Sequence, residues 1–138
     1  IRALGCWILG EINAGDSSEL LSLLADDQSV EVRRNAVEAL GIIQTNNKNA
    51  IASLMKALEN DSDAQTRFTA ALSLARMPEK AGVAIPSLMK GLKDENRYVR
   101  GYCVEALRNI KTLESTNVLI EHLSTMRWCN STNPKSTF

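Results

Sequence analysis

Aromatic side chains are scarce in this chain: Phe, Trp and Tyr make up 4% of its 138 residues, and there is one His. A lone His with no Cys pair at ligand spacing cannot build a zinc site, so no metal or cofactor is expected. The three cysteines, Cys6, Cys103 and Cys129, are odd in number and widely spaced. That excludes a disulfide framework and favours a reducing compartment, so a cytoplasmic location is expected. Excess charge is also lacking: Lys plus Arg and Asp plus Glu both number 16. A duplex-binding protein usually carries a basic excess, so no nucleic-acid partner is expected. There is no Gly-rich phosphate loop, no signal-peptide pattern and no apolar run long enough for a bilayer, so no membrane partner is expected. An initiating Met is missing too, and the chain starts inside a repeat, which reads as a piece of a longer protein.

What the chain does have is a recurring helical stripe. In VRRNAVEALGII, positions 32–43, the residues Val32, Ala36, Ala39, Leu40 and Ile43 fall on one face at helical spacing. The pattern returns as TRFTAALSLARM at 66–77 and VRGYCVEALRNI at 99–110, and opens the chain as IRALGCWILGEI at 1–12. Its arginines, Arg2, Arg33, Arg67 and Arg100, are 31, 34 and 33 residues apart. A period near 33 is too long for a heptad and suits stacked helix pairs. The expected fold is all-α, an alpha-alpha superhelix of antiparallel pairs.

Residues 1–127 form the expected repeat domain. It holds the second helix of a truncated unit (1–12), units at about 18–43, 50–77 and 84–110, and a partial unit at 115–127. A polar tail, 128–138, follows. Asp16 or Ser17 is expected to cap the helix after the first turn, Asp63 the helix over 64–76, and Pro86 to sit in a first turn. The first helices overlay at a spacing of 34 through Leu20, Leu54 and Leu88, and through Leu24, Leu58 and Leu92. Met89 continues that inward stripe, as do Val118, Leu119, His122 and Leu123 in the last helix.

The signature V-R-x-x-A-x-x-A-L-G/x-x-I, with an Asp six residues before the Arg, resembles HEAT repeats. More narrowly it is similar to the short HEAT-like repeats of phycobilisome lyases. Thr66 for Val, Ser73 for Ala and Arg108 for Gly depart from the pattern. The resemblance implies a HEAT-like solenoid. It also implies a choice of roles: phycobilin attachment, phycobilisome turnover, scaffolding of kinases or phosphatases, or metal-dependent hydroxylation. The hydroxylases of this kind hold iron with His-Glu pairs on several helices. This chain has only Glu121-His122, in reversed order.

Asp27, Asp61 and Asp94 each lie six residues before the arginine of their own unit, Arg33, Arg67 or Arg100. The expectation is an Asp–Arg ladder that caps turns, satisfies carbonyls and links units; a ligand-binding arginine row is the alternative. The second helices should line the concave face. Their non-core columns read Ala3, Arg34, Phe68, Gly101; then Trp7, Glu38, Leu72, Glu105; then Gly10, Gly41, Ala75, Arg108. Trp7, Phe68 and Leu72, rimmed by Arg34, Glu38, Glu105 and Arg108 and joined by Tyr102, suit a protein contact. The bland alternatives are Trp7 covering a missing helix and Phe68 tucked between units. Cys129 and Trp128 lie in the tail. No catalytic residue stands out, so the expected function is a non-enzymatic protein-interaction or scaffold module. It would bind a protein of unknown identity on the concave face or at the open ends, or another copy of itself end to end. The alternative is a subunit of a phycobilin lyase or another phycobilisome-associated factor.

Overall fold

The structure, a computed structural model, describes residues 1–44 and 47–126. The tail at 128–138, with Trp128 and Cys129, lies outside the described residues. Among those described, eight α-helices run in order: α1 (Arg2–Glu11), α2 (Ser18–Leu24), α3 (Val30–Ile43), α4 (Lys48–Asn60), α5 (Ala64–Ala75), α6 (Ile85–Gly91), α7 (Arg97–Ile110) and α8 (Leu113–Met126). The pairs α2–α3, α4–α5 and α6–α7 are helical hairpins, α1 stacks on α3, and α8 packs on α7. The all-α solenoid read from the repeat is the fold observed.

Local chemistry sets the helix ends. Asp63 accepts the Thr66 amide at 2.8 Å, and Asn96 accepts that of Tyr98 at 2.8 Å, each closing the first turn of a second helix. Pro86 stands in the first turn of α6, where its missing N–H leaves no bond unmade. Ser17 occupies the N-cap position of α2 but makes no capping bond through its side chain. Gln44 and Lys111 end α3 and α7 in left-handed conformation, with φ of 49° and 56°.

The core is a file of small and branched side chains between the layers, including Leu21, Leu54, Leu88, Val37, Leu74 and Leu107, all fully buried. Leu20, expected inside together with Leu21, is instead 51% exposed, and Leu21 alone fills the core position. The reason is a change of register. Six residues separate Leu21 from Asp27 and Leu88 from Asp94, but seven separate Leu54 from Asp61. Met89 and Leu123 are likewise exposed. In α8, Val118 is buried and Leu119 and His122 are half-buried, because among the described residues that helix is covered on one side only, by α7 and the end of α6.

Second helices, the layer expected to line the concave face, approach one another closely. Small residues permit the approach. A methyl added at Gly10 would lie 3.0 Å from the Ala39 backbone, and one at Gly41 only 2.2 Å from Ser73 Oγ. The column Gly10, Gly41, Ala75 is therefore buried packing between units, not surface as the sequence suggested; only Arg108, its last member, is exposed. Ser73 and Thr66 find internal partners for their hydroxyls: Ser73 Oγ donates to the Val37 carbonyl at 3.0 Å, and Thr66 Oγ1 to Asp63 at 2.8 Å. Such bonds offset the cost of burying them.

Candidate protein-binding face

The ladder residues lie along the turns between first and second helices. Arg33 grips Asp61 with two bonds, Nε at 2.7 Å and Nη2 at 3.0 Å, while its Nη1 donates to the carbonyls of Asp27 and Gln28 at 3.0 and 3.1 Å. Arg67 repeats the arrangement one unit on, with Nε and Nη2 on Asp94 at 2.8 and 3.2 Å and Nη1 on the carbonyls of Asp61 and Ser62. Arg2 pairs with Asp27 at 2.9 Å. Arg33 and Arg67 thus each tie the turn of their own unit to the aspartate of the next. The aspartates also close their own turns: Asp27 accepts the Ser29 amide, Asp61 that of Asp63, and Asp94 that of Asn96.

These contacts set the charges. The Ser29 amide and Arg2 hold the Asp27 carboxyl below its ordinary value. For Asp94, burial pushes upward, but the bonds from Arg67 and Asn96 outweigh it and the carboxyl is lowered. The Asp61 carboxylate raises Arg33, and that of Asp94 raises Arg67. A guanidinium so committed is a structural tie, with little left to offer a ligand.

The second-helix face carries two unlike patches. Over α3, Arg34 holds Asp63 with two bonds of 2.9 Å, which keeps the Asp63 carboxyl well below the usual carboxylate range. Around this pair Ala3, Glu31, Asn35, Glu38 and Thr69 line a polar hollow of ≈ 330 Å³. Over α5 and α7 the face turns aromatic. Phe68 stacks on Tyr102, with centroids 5.7 Å apart and planes 25° apart, and meets Tyr98 at 6.3 Å in a tilted contact. The Arg97 guanidinium sits 4.8 Å above the Tyr98 ring and donates to its hydroxyl at 2.8 Å. Arg97, Tyr98, Gly101, Tyr102 and Glu105 border a second hollow of ≈ 180 Å³.

Phe68 and Tyr102 thus meet, and Glu105 stands beside them. Leu72 is half-buried farther along α5. Trp7 is 51% exposed on α1, separated from α5 by the whole of α3. Trp7, Phe68 and Leu72 therefore do not form one apolar patch. Tyr98 and Arg97 escaped the sequence reading. The available signal was the four-residue step from Tyr98 to Tyr102, which places both rings along one strip of α7 beside the Phe68 column.

Cys6 and Cys103 are free and fully buried, and burial pushes the Cys103 thiol up to about 12. His122 lies in a shallow hollow with Met89, Leu92 and Val118. Among the described residues no cluster of His, Cys, Asp and Glu could hold a metal ion, and no helix is long and apolar enough to cross a membrane.

No curated protein matches this chain. The family pattern described as HEAT repeats matches it twice, at residues 1–75 and 51–128. Together with the stacked helix pairs and their close-packed second layer, those overlapping matches make this chain a member of the HEAT repeat family.

Proposed function

We propose that the chain is a non-enzymatic interaction or scaffold module that engages a protein partner through its concave second-helix layer. HEAT repeats are commonly scaffolds for protein–protein interaction. The observation that carries the reading is the contrast between a core that repeats from unit to unit and a concave surface that does not. The Phe68–Tyr98–Tyr102 cluster with Arg97 supplies aromatic and arginine anchors, the residue types that dominate binding energy in protein interfaces. The Arg34–Asp63 pair and Glu38 give a polar surround that excludes water and selects partners by charge. Trp7 is an outlying contact on the same layer.

The test is partner capture by the intact chain against a variant carrying Phe68→Ser, Tyr98→Ser and Tyr102→Ser. A variant with an unchanged helical circular dichroism signal that loses partners held by the unmodified chain supports the face. Equal capture by that folded variant overturns it. The narrower role as a phycobilin lyase subunit rests on resemblance of the repeat sequence alone. A bilin-transfer assay on biliprotein substrates decides it.

A further inference from the structure

The last of the described second helices, α7, presents a side that the earlier ones have covered. The sides of α1, α3 and α5 that face down the stack each meet the next second helix. The corresponding side of α7 is open among the described residues: Val104 is half-buried, while its equivalents Val37 and Ala71 are fully buried. Arg97, Arg100, Val104 and Arg108 share this side through steps of three and four residues.

Arg100 is held in place for a contact it does not make. Its Nη1 donates to the carbonyls of Asp94 and Glu95 at 2.7 and 2.9 Å, the same two anchors that orient Arg33 and Arg67. In those arginines Nε and Nη2 then take the aspartate of the next unit. Among the described residues no carboxylate pairs with Arg100.

We infer that this open side of α7 docks an acidic, extended segment of a partner protein, one carboxylate of which takes Arg100 Nε and Nη2 as Asp61 takes those of Arg33. The inference rests on the protein-binding reading above and adds a place and a chemistry to it. A further second helix in the same register is a poor occupant. Where Gly10 and Gly41 let backbones meet, α7 carries the long, exposed side chain of Arg108. A second copy stacking through α1 would set Ile8, the counterpart of Ala39, against that same Arg108. An extended segment reaches α7 through side chains and avoids the conflict. Arg97, Arg100 and Arg108 outnumber Glu105 on this side, and the neighbouring Asp94 and Glu95 carboxylates are already bonded to Arg67, so the complementary partner is acidic. Beside them, a methyl on Gly101 would meet nothing within 4 Å, so the hollow by Tyr98 and Tyr102 stays open for one side chain of the segment.

The probe is the blocked peptide GLKDEN, residues 91–96, whose two acidic side chains both contact Arg67 in the fold. It is titrated into the full 138-residue chain and followed by 15N-correlated NMR of backbone amides and arginine Nε–H groups. Saturable shifts along α7 and at Arg100 Nε–H are expected. They should weaken at least about fivefold with the peptide GLKNQN or with R100Q, as expected for loss of a charge-assisted pair. Because R100Q also removes a turn contact, R100E with the peptide GLKKKN serves as a charge-swapped pair that should regain binding. No shift on α7, or equal shifts with both peptides, overturns the inference. Shifts confined to Arg34 and Glu38 overturn it while leaving the concave face standing as the binding surface. A dimer through α7 in sedimentation also overturns it, since the occupant would then be a second copy.

Discussion

Gly41 and Ser73 meet across α3 and α5 with no room for a methyl between them: a Cβ on Gly41 would lie 2.2 Å from Ser73 Oγ and 2.8 Å from Ser73 Cα. The second distance matters more, because a backbone atom cannot rotate away. Gly41→Ala should therefore destabilise the chain by about 2 kcal/mol, the overpacking cost outweighing the ~1 kcal/mol that Ala gains over Gly in a helix. Urea unfolding monitored by circular dichroism checks this. A midpoint equal to or above that of the unmodified chain would show that the layers separate more freely than the structure implies.

The ladder should differ in strength along its length. The Arg67 and Asp94 side chains are 10% and 11% exposed, whereas Arg2 is 64% exposed. Arg67→Ala should cost about 3 kcal/mol, since it strands a largely buried aspartate and two turn carbonyls. Arg2→Ala should cost less than about 1 kcal/mol, as exposed pairs do. Similar losses at both sites would argue that burial does not control the rungs.

Acid should weaken the fold in a defined window. Asp27, Asp63 and Asp94 have folded-state pKa values below their ordinary 3.8. A carboxyl with a lowered folded pKa adds stability that is complete above its unfolded value and lost as pH falls toward the folded one. Stability should hold at pH 6 and decline as pH drops through and below 3.8, the ordinary carboxyl value. Asp63→Asn, which removes the charge beside Arg34, should flatten that decline. An identical pH slope in wild type and variant would remove Asp63 from the account.

The thiols offer a check on core integrity. Cys103 is fully buried and its thiol is pushed up to about 12, so almost none is thiolate at pH 8. Labelling with iodoacetamide at pH 8, read by mass spectrometry, should spare Cys103 until denaturant is added. Rapid labelling of the native chain at that site would show that α6 and α7 part readily.

Much of this architecture was legible in the residues. The bounds of α3 and α7 follow from stripes that start after capping loops and stop at Gln44 and Lys111. The Asp–Arg spacing also spoke plainly, though not which unit's arginine each carboxylate receives, because that depends on contacts across 27 or 28 residues. Leu20 was misplaced because Leu21 is equally apolar and the α4 unit carries one extra residue. Gly10, Gly41 and Ala75 read as surface because the periodicity of a single helix does not encode how near the next helix comes. Trp7 and Phe68 looked alike as apolar slots in variable columns. Only the order of helices in space separates them, and only the packed rings link Phe68 to Tyr98.

The two layers are joined by different contacts, which has a mechanical consequence. On the side of the second helices, Gly41 and Ser73 are already in backbone contact, so that side cannot be compressed. On the side of the first helices, long exposed lysines make the bridges, Lys90 of α6 to Glu59 of α4 and Lys56 of α4 to Asp26 in the turn after α2, and these can lengthen or let go. Bending is therefore one-sided. The stack can fan open along its outer edge about a stiff inner spine, and a ligand that demands tighter curvature must stretch the lysine side, because the glycine side has nothing left to give.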